Sequence, residues 1–145
     1  YDVMPGWNLF GSYLFGATQA QPSATSAFNN VSDMTSDSFA VTATKDEVIG
    51  HDRLSFSVGQ PTRVRSGIAS GLTQQVDRQT GTIGVAEFEQ SLVPTGRTIQ
   101  FQGAYQKELS DKINLNFALK YETQPYQQKD ADADASGLVK LMYKM

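Results

Sequence analysis

The chain has 145 residues, enough for one hydrophobic core and too few for two ordinary domains. With 39% hydrophobic and 10% aromatic residues it is not compositionally disordered, and no apolar run approaches the roughly 20 residues a spanning helix needs. A net charge of -3 without a basic stripe argues against a nucleic-acid partner, and the absence of cysteine removes disulfides, thiolate metal sites and cysteine nucleophiles together. A mean hydropathy of -0.36 leaves a membrane β-barrel open, because strands that alternate apolar and polar residues average out as polar. The start at Tyr1, without an initiator Met or a leader, leads us to expect a processed piece of a longer precursor.

The dominant period is two. Near the N-terminus Trp7, Leu9, Gly11, Tyr13 and Phe15 form one row. Ile99, Phe101, Gly103 and Tyr105 alternate with Gln100, Gln102 and Gln106. Ile113, Leu115, Phe117, Leu119 and Tyr121 alternate with Asn114, Asn116, Ala118, Lys120 and Glu122. At the C-terminus Val139, Leu141, Tyr143 and Met145 lie on one side, with Lys140 and Lys144 on the other. A strand places such rows on opposite faces, whereas a helix would scatter them.

About eight strands are expected, near 7–18, 38–46, 53–59, 63–73, 82–92, 98–108, 112–123 and 137–145. Gly50-His51-Asp52, Pro94-Thr95-Gly96 and Ser110-Asp111-Lys112 read as tight turns. The polar stretch 19–35 reads as a mobile loop, and 124–136 as a second long one. Short links favour an all-β, antiparallel, up-and-down sheet, closed as a barrel or folded as a sandwich. A soluble closure turns the apolar rows inward; an outer-membrane barrel turns them to lipid. Gln- and Asn-rich polar rows, tyrosines towards strand ends and an alternating C-terminal strand favour the membrane geometry. The short apolar set Phe39, Val41 and Ala43 favours the soluble one.

Candidate chemistry is sparse. His51, the sole histidine, stands beside Asp52 in a turn, and no glycine-flanked nucleophile serine accompanies it. No catalytic or cofactor-binding residue is expected. Asp130, Asp132 and Asp134 have the spacing that opens a calcium loop, but Ala135 and Leu141 replace its glycine and its closing glutamate, so a solvated loop is the plainer reading. Arg63 and Arg65 on one strand and Glu87 and Glu89 on another would pair across a small barrel interior, or stand as solvated surface charges. Asn30-Val31-Ser32 matches a glycosylation acceptor by chance.

Three segments carry a resemblance. The most specific is Asp52-Arg53-Leu54-Ser55-Phe56-Ser57-Val58-Gly59-Gln60-Pro61-Thr62-Arg63-Val64-Arg65-Ser66-Gly67. Trp7-Asn8-Leu9-Phe10-Gly11-Ser12-Tyr13-Leu14-Phe15-Gly16 precedes it, and Leu92-Val93-Pro94-Thr95-Gly96-Arg97-Thr98-Ile99 follows. In this order they resemble the C-terminal β-domain that follows the catalytic domain of subtilisin-like serine proteases of autotransporter type. That domain is longer and usually ends in Phe, where this chain has Met145. Read without the resemblance, Pro61 between Gly59 and Gly67 marks a bulged corner between two strands.

The resemblance implies a non-enzymatic unit for translocation or outer-membrane anchoring, with 1–145 a single β-domain or the C-terminal part of a larger one. Its partners would be outer-membrane lipid or an upstream protease domain, and its location the bacterial outer membrane, the cell surface or the medium. The alternative is a soluble extracellular β-module that binds or assembles, including with copies of itself through a free sheet edge.

Overall fold

The computed structural model describes residues 2–23, 26 and 28–143. Among them are ten strands: β1 (Asp2–Met4), β2 (Trp7–Thr18), β3 (Phe28–Val31), β4 (Met34–Asp46), β5 (Asp52–Ser66), β6 (Ile68–Val76), β7 (Ile83–Ser91), β8 (Ile99–Ser110), β9 (Ile113–Thr123) and β10 (Asp134–Tyr143). One 3-10 turn, Pro125–Gln127, interrupts them. The fold is all-β and antiparallel, as the alternation requires. One sheet has the order β1-β2-β4-β5-β8-β9-β10, the other β3-β6-β7.

The chain divides into two compact units. The first runs to Leu14 and takes in 38–62 and the residues described from Thr95 on; the second comprises 15–37 and 63–94. β2, β4 and β5 therefore contribute residues to both.

In the first unit β9 is the central rail. It pairs with β8 from Ser110↔Ile113 to Ile99↔Thr123, and with β10 from Tyr143↔Ile113 to Asp134↔Glu122. β8 in turn pairs with β5 from Asp52↔Lys107 to Gly59↔Gln100. The β5 ladder with β8 stops at Gly59, and β5 continues through Pro61 as one 15-residue strand. This corrects the expected corner. Pro61 lacks an N–H, and beyond Gly59 the β8 ladder asks for none. The break falls instead at Gly67, whose φ of +154° suits a residue without Cβ.

Gly59 has a packing reason. A Cβ there would lie 2.7 Å from the Phe39 carbonyl oxygen on β4. At Gly103 the same addition meets nothing within 4 Å.

In the second unit the β6–β7 hairpin pairs without slip from Ile68↔Ser91 to Val76↔Ile83. β3 lies along β6, and Phe28 meets Phe88 edge to face with ring centroids 6.0 Å apart. The stretch expected as a mobile loop at 19–35 thus contains β3, and β4 begins at Met34 rather than Ser38. A polar sequence such as Phe28-Asn29-Asn30-Val31 becomes a strand because β6 offers it a ladder.

The larger sheet is not closed as a barrel: its order begins at β1 and ends at β10. β1 has three residues, and the six long strands are fewer than the eight of the smallest barrels. Two separate sheets are what the sandwich alternative requires.

Two outcomes follow. Gly59→Ala forces the β4 backbone to shift and is expected to cost about 1–3 kcal/mol by overpacking, whereas Gly103→Ala stays within about 0.5 kcal/mol. Denaturant midpoints of the refolded variants measure the difference. The β6–β7 turn supplies the second. The Gln79 amide donates to the Asp77 carboxylate at 2.8 Å, and with the Thr80 hydroxyl and amide it outweighs the opposing effect of desolvation, holding that carboxyl below its ordinary 3.8. A depressed folded value means the turn's contribution is complete above pH 3.8 and is lost as pH falls through the folded value. The Asp77 carboxyl should titrate below 3.8 by NMR, and Asp77→Ala should remove the acid-dependent shift of the Gln79 amide. An Asp77 midpoint at or above 3.8 contradicts this.

Candidate functional site

Register fixes which side chains share a face of the first unit. Directly paired residues point the same way, so Tyr143, Leu141 and Val139 stand beside Ile113, Leu115 and Phe117. The same face continues through Leu119 and Tyr121 on β9, Phe101, Gly103 and Tyr105 on β8, and Leu54, Phe56 and Val58 on β5. The four strands thus carry one continuous apolar surface. Met145 lies outside the described residues.

The opposite face is polar: Gln100, Gln102 and Gln106 on β8, and Asn114, Asn116, Lys120 and Glu122 on β9. Glu122 accepts from Gln100 Nε2 at 2.5 Å and pairs with Lys120 at 2.7 Å. Leu138 and Met142 on β10 also point to this side, with Ser136 and Lys140 in the same row.

On β5 and β9 exposure runs opposite to that of a water-soluble fold, whereas on β8 Gln102 and Gln106 are exposed and Tyr105 is half-buried. On β9, Phe117, Leu119 and Tyr121 are 39%, 52% and 46% exposed, whereas Asn114 is 6% exposed. On β5, Leu54 and Phe56 are exposed while Ser55 and Ser57 are half-buried. Ala69 is the one buried hydrophobic residue among those described; Asp37, Asp52, Gln60, Thr98 and Asn114 are the buried polar ones. Asn114 Oδ1 is buried without a hydrogen-bond partner.

Polar clasps bound the apolar surface at both ends of the β5–β8 ladder. At the β4–β5 turn, the Asp52 carboxylate accepts from the Ile49 amide at 3.0 Å and from the Tyr105 hydroxyl at 2.7 Å. At the other end Arg97 Nε donates to Gln60 Oε1, and the Arg97 amide donates to Gln124 Oε1 at 2.8 Å. Thr98 Oγ1 donates to the Gln124 carbonyl at 2.6 Å and accepts from the Gln127 amide at 3.0 Å. Gln127 Nε2 reaches the Thr62 carbonyl at 2.7 Å. Sequence reading took Gln60-Pro61 and Pro94-Thr95-Gly96-Arg97 as separate turn signals; their convergence has no local signature, since the partners lie 37 residues apart.

The other candidates separate. His51 sits exposed in a bend, where its carbonyl accepts from the Glu108 amide at 3.2 Å. The cleft beside it is lined by Asp46, Glu47, Asp52, Arg53, Gln106 and Glu108, with no serine. Asp52 is committed to Ile49 and Tyr105. Among the described residues no three His, Cys, Asp or Glu side chains converge as an ion site would need, and Asp130, Asp132 and Asp134 form no such group. Arg65 pairs with Asp37 at 3.6 Å and Arg63 donates to the Pro94 carbonyl at 3.2 Å, whereas Glu87 and Glu89 are exposed. Of the two readings, the pairing across an interior is not seen among the described residues: the arginines take acceptors at Asp37 and Pro94, and the glutamates face outward.

Among known proteins, no family model, curated protein or solved structure matches the chain. The resemblance to protease β-domains rests on the sequence segments alone.

The Gln60–Arg97 clasp can be measured. A double-mutant cycle with Gln60→Ala and Arg97→Ala should give a coupling of about 1–2 kcal/mol, typical of a part-buried hydrogen bond to a charged group. Additive losses would mean that the two side chains act separately.

Proposed function

We propose that this chain is a non-enzymatic β-domain that works at an outer membrane, with the β5-β8-β9-β10 apolar face turned to lipid. In this reading it is the anchoring or translocation unit of a secreted or surface serine protease precursor. The observation that carries it is the exposure of that apolar face, which on β5 and β9 exceeds that of the polar residues opposite. An apolar surface four strands wide, opposite a polar Gln, Asn, Lys and Glu face on which Gln100 and Lys120 reach Glu122, marks a membrane or protein interaction surface.

The outline of the band adds support. Its centre lies at Phe56 on β5, in the row of Gly103, Leu119 and Gly137. On β9 it has moved one row to Phe117, and on β10 two rows to Leu141, opposite Leu115. That drift is about 13 Å along the strands for about 14 Å across them, an obliquity of roughly 40° to the strand normal. Strands of membrane barrels tilt by a similar 35–45°, so an oblique band on the sheet is a level band in the bilayer. From Asp52 to Gln60, β5 spans about 27 Å, which such a tilt turns into about 20 Å of height between the clasps.

The band's centre provides the test. Phe117→Arg is expected to weaken insertion into dimyristoylphosphatidylcholine vesicles by about 2–4 kcal/mol, as for a cation near the bilayer midplane. Asn116→Arg, one residue away on the polar face, should insert nearly as the parent does. Flotation of refolded chains with vesicles reads both. Equal insertion of the two variants, or a parent chain that remains a soluble monomer without detergent, would overturn the reading.

The soluble self-assembling module is favoured by one specific feature, the open edges of the larger sheet. It would show assembly in buffer and no flotation.

A further inference from the structure

We infer that Tyr126 anchors the chain in the interfacial zone of a phospholipid bilayer, held out by a strained and tightly fastened loop; this rests on the membrane reading above. The loop after β9 leaves ordinary backbone at three residues. Gln124, Tyr126 and Gln127 have φ of +47°, +59° and +58°. Glycine enters that region freely, whereas a bulky side chain disfavours it. Such a backbone persists only where its surroundings over-determine it.

Here the fastening bonds fall on either side of Tyr126. The Gln124 carbonyl accepts from Thr98 Oγ1, and Gln124 Oε1 accepts from the Arg97 amide. The Gln127 amide donates to Thr98 Oγ1, its carbonyl accepts from the Gly96 amide at 2.7 Å, and its Nε2 donates to the Thr62 carbonyl. Pro125 is buried. Tyr126 beside it is 89% exposed, more than any other large apolar or aromatic side chain among the described residues. Glycine at this position would take the same φ without strain, and the apolar burial of the chain would hardly change. The use of the ring therefore lies outside the chain.

A phenol has an apolar body and a hydroxyl that seeks water, which suits the boundary between lipid tails and headgroups. The loop stands at that boundary. Thr123, which precedes it on β9, pairs with Ile99, and the clasp of Gln60, Arg97 and Gln124 ends the apolar band there. From Thr123 to Gln128 no residue is charged, so no charge has to leave water as the loop meets the lipid surface. At the opposite end of the sheet the Trp7 ring lies 5.9 Å from Lys45 Nζ, and Tyr143 pairs with Ile113. With Tyr126, aromatic side chains mark both boundaries.

Two variants test the anchor. Trp7 is the sole tryptophan, so Trp7→Phe combined with Tyr126→Trp leaves one indole, in the loop. The chain is refolded into dimyristoylphosphatidylcholine vesicles and floated. The indole emission is expected to be quenched by lipid brominated near the top of the acyl chain, and less by lipid brominated near the chain end. Quenching by aqueous iodide alone overturns the anchor. Tyr126→Gly relieves the backbone and removes the ring. Its denaturant midpoint should equal or exceed that of the parent, while its flotation at limiting lipid weakens about three- to tenfold, the loss of roughly 30–60 Å² of ring buried at the interface. A Tyr126→Gly chain that floats as the parent does overturns the anchor and leaves the membrane reading, tested at Phe117, standing. A parent chain that does not float removes the membrane reading, and the anchor with it.

Discussion

The unbroken ladder along β9 is the interaction on which the first unit depends. It holds β8 on one side and β10 on the other, each for most of its length, with one irregularity between Glu108 and Ser110. Because side chains alternate, that register decides at once which residues of four strands share a face. A slip of one residue would send Phe117, Leu119 and Tyr121 to the side of Gln100, Gln102 and Gln106 on β8, and would separate Gln100 from Glu122. The Gln100–Glu122 hydrogen bond and the apolar band are therefore consequences of one alignment.

That alignment is pinned at its ends by polar groups rather than by a core. Asp52 gathers the β4–β5 turn and Tyr105, while Gln60, Arg97, Thr98 and Gln124 gather β5, β8 and the segment after β9. Gly96 lets the last of these close, since a Cβ there would lie 2.6 Å from the backbone of Gln128 and Lys129. Hydrogen bonds between buried polar groups are specific in geometry but modest in net stability. Apolar burial, which dominates the stability of water-soluble folds, is nearly absent among the described residues of the isolated chain. In the membrane reading we propose, lipid covering the apolar face would supply the burial that the isolated chain lacks.

The second unit follows a different logic. Its β6–β7 hairpin is set by the Asp77 turn, and its packing by small and aromatic residues: Ala69 buried, Phe28 against Phe88, Gly67 beside Met34 and Leu92. Arg65 with Asp37, and Thr35 with Ser66 at 2.6 Å, tie β4 to β5 there. Arg63 and Arg65, half of the charge network that the sequence allowed, take their acceptors here from Pro94 and Asp37.

The sequence by itself determined the period of two, and with it most of the long strands and the two-faced character of β8 and β9. Alternation is a local property, and residues such as Ile113 to Tyr121 carry it without reference to any other part of the chain. It also placed His51 in a turn. It did not determine that β5 runs straight through Pro61, because that depends on where the β8 ladder stops. Nor did it determine that Phe28-Asn29-Asn30-Val31 is a strand, because β6 supplies the partner. The convergence of Gln60 with Arg97, and of Asp52 with Tyr105, was decided only in three dimensions, where strands distant in sequence become neighbours. The same is true of the face that lies open. Alternation separates two faces but assigns neither to water, and only the paired sheet leaves Phe117 more exposed than Asn114.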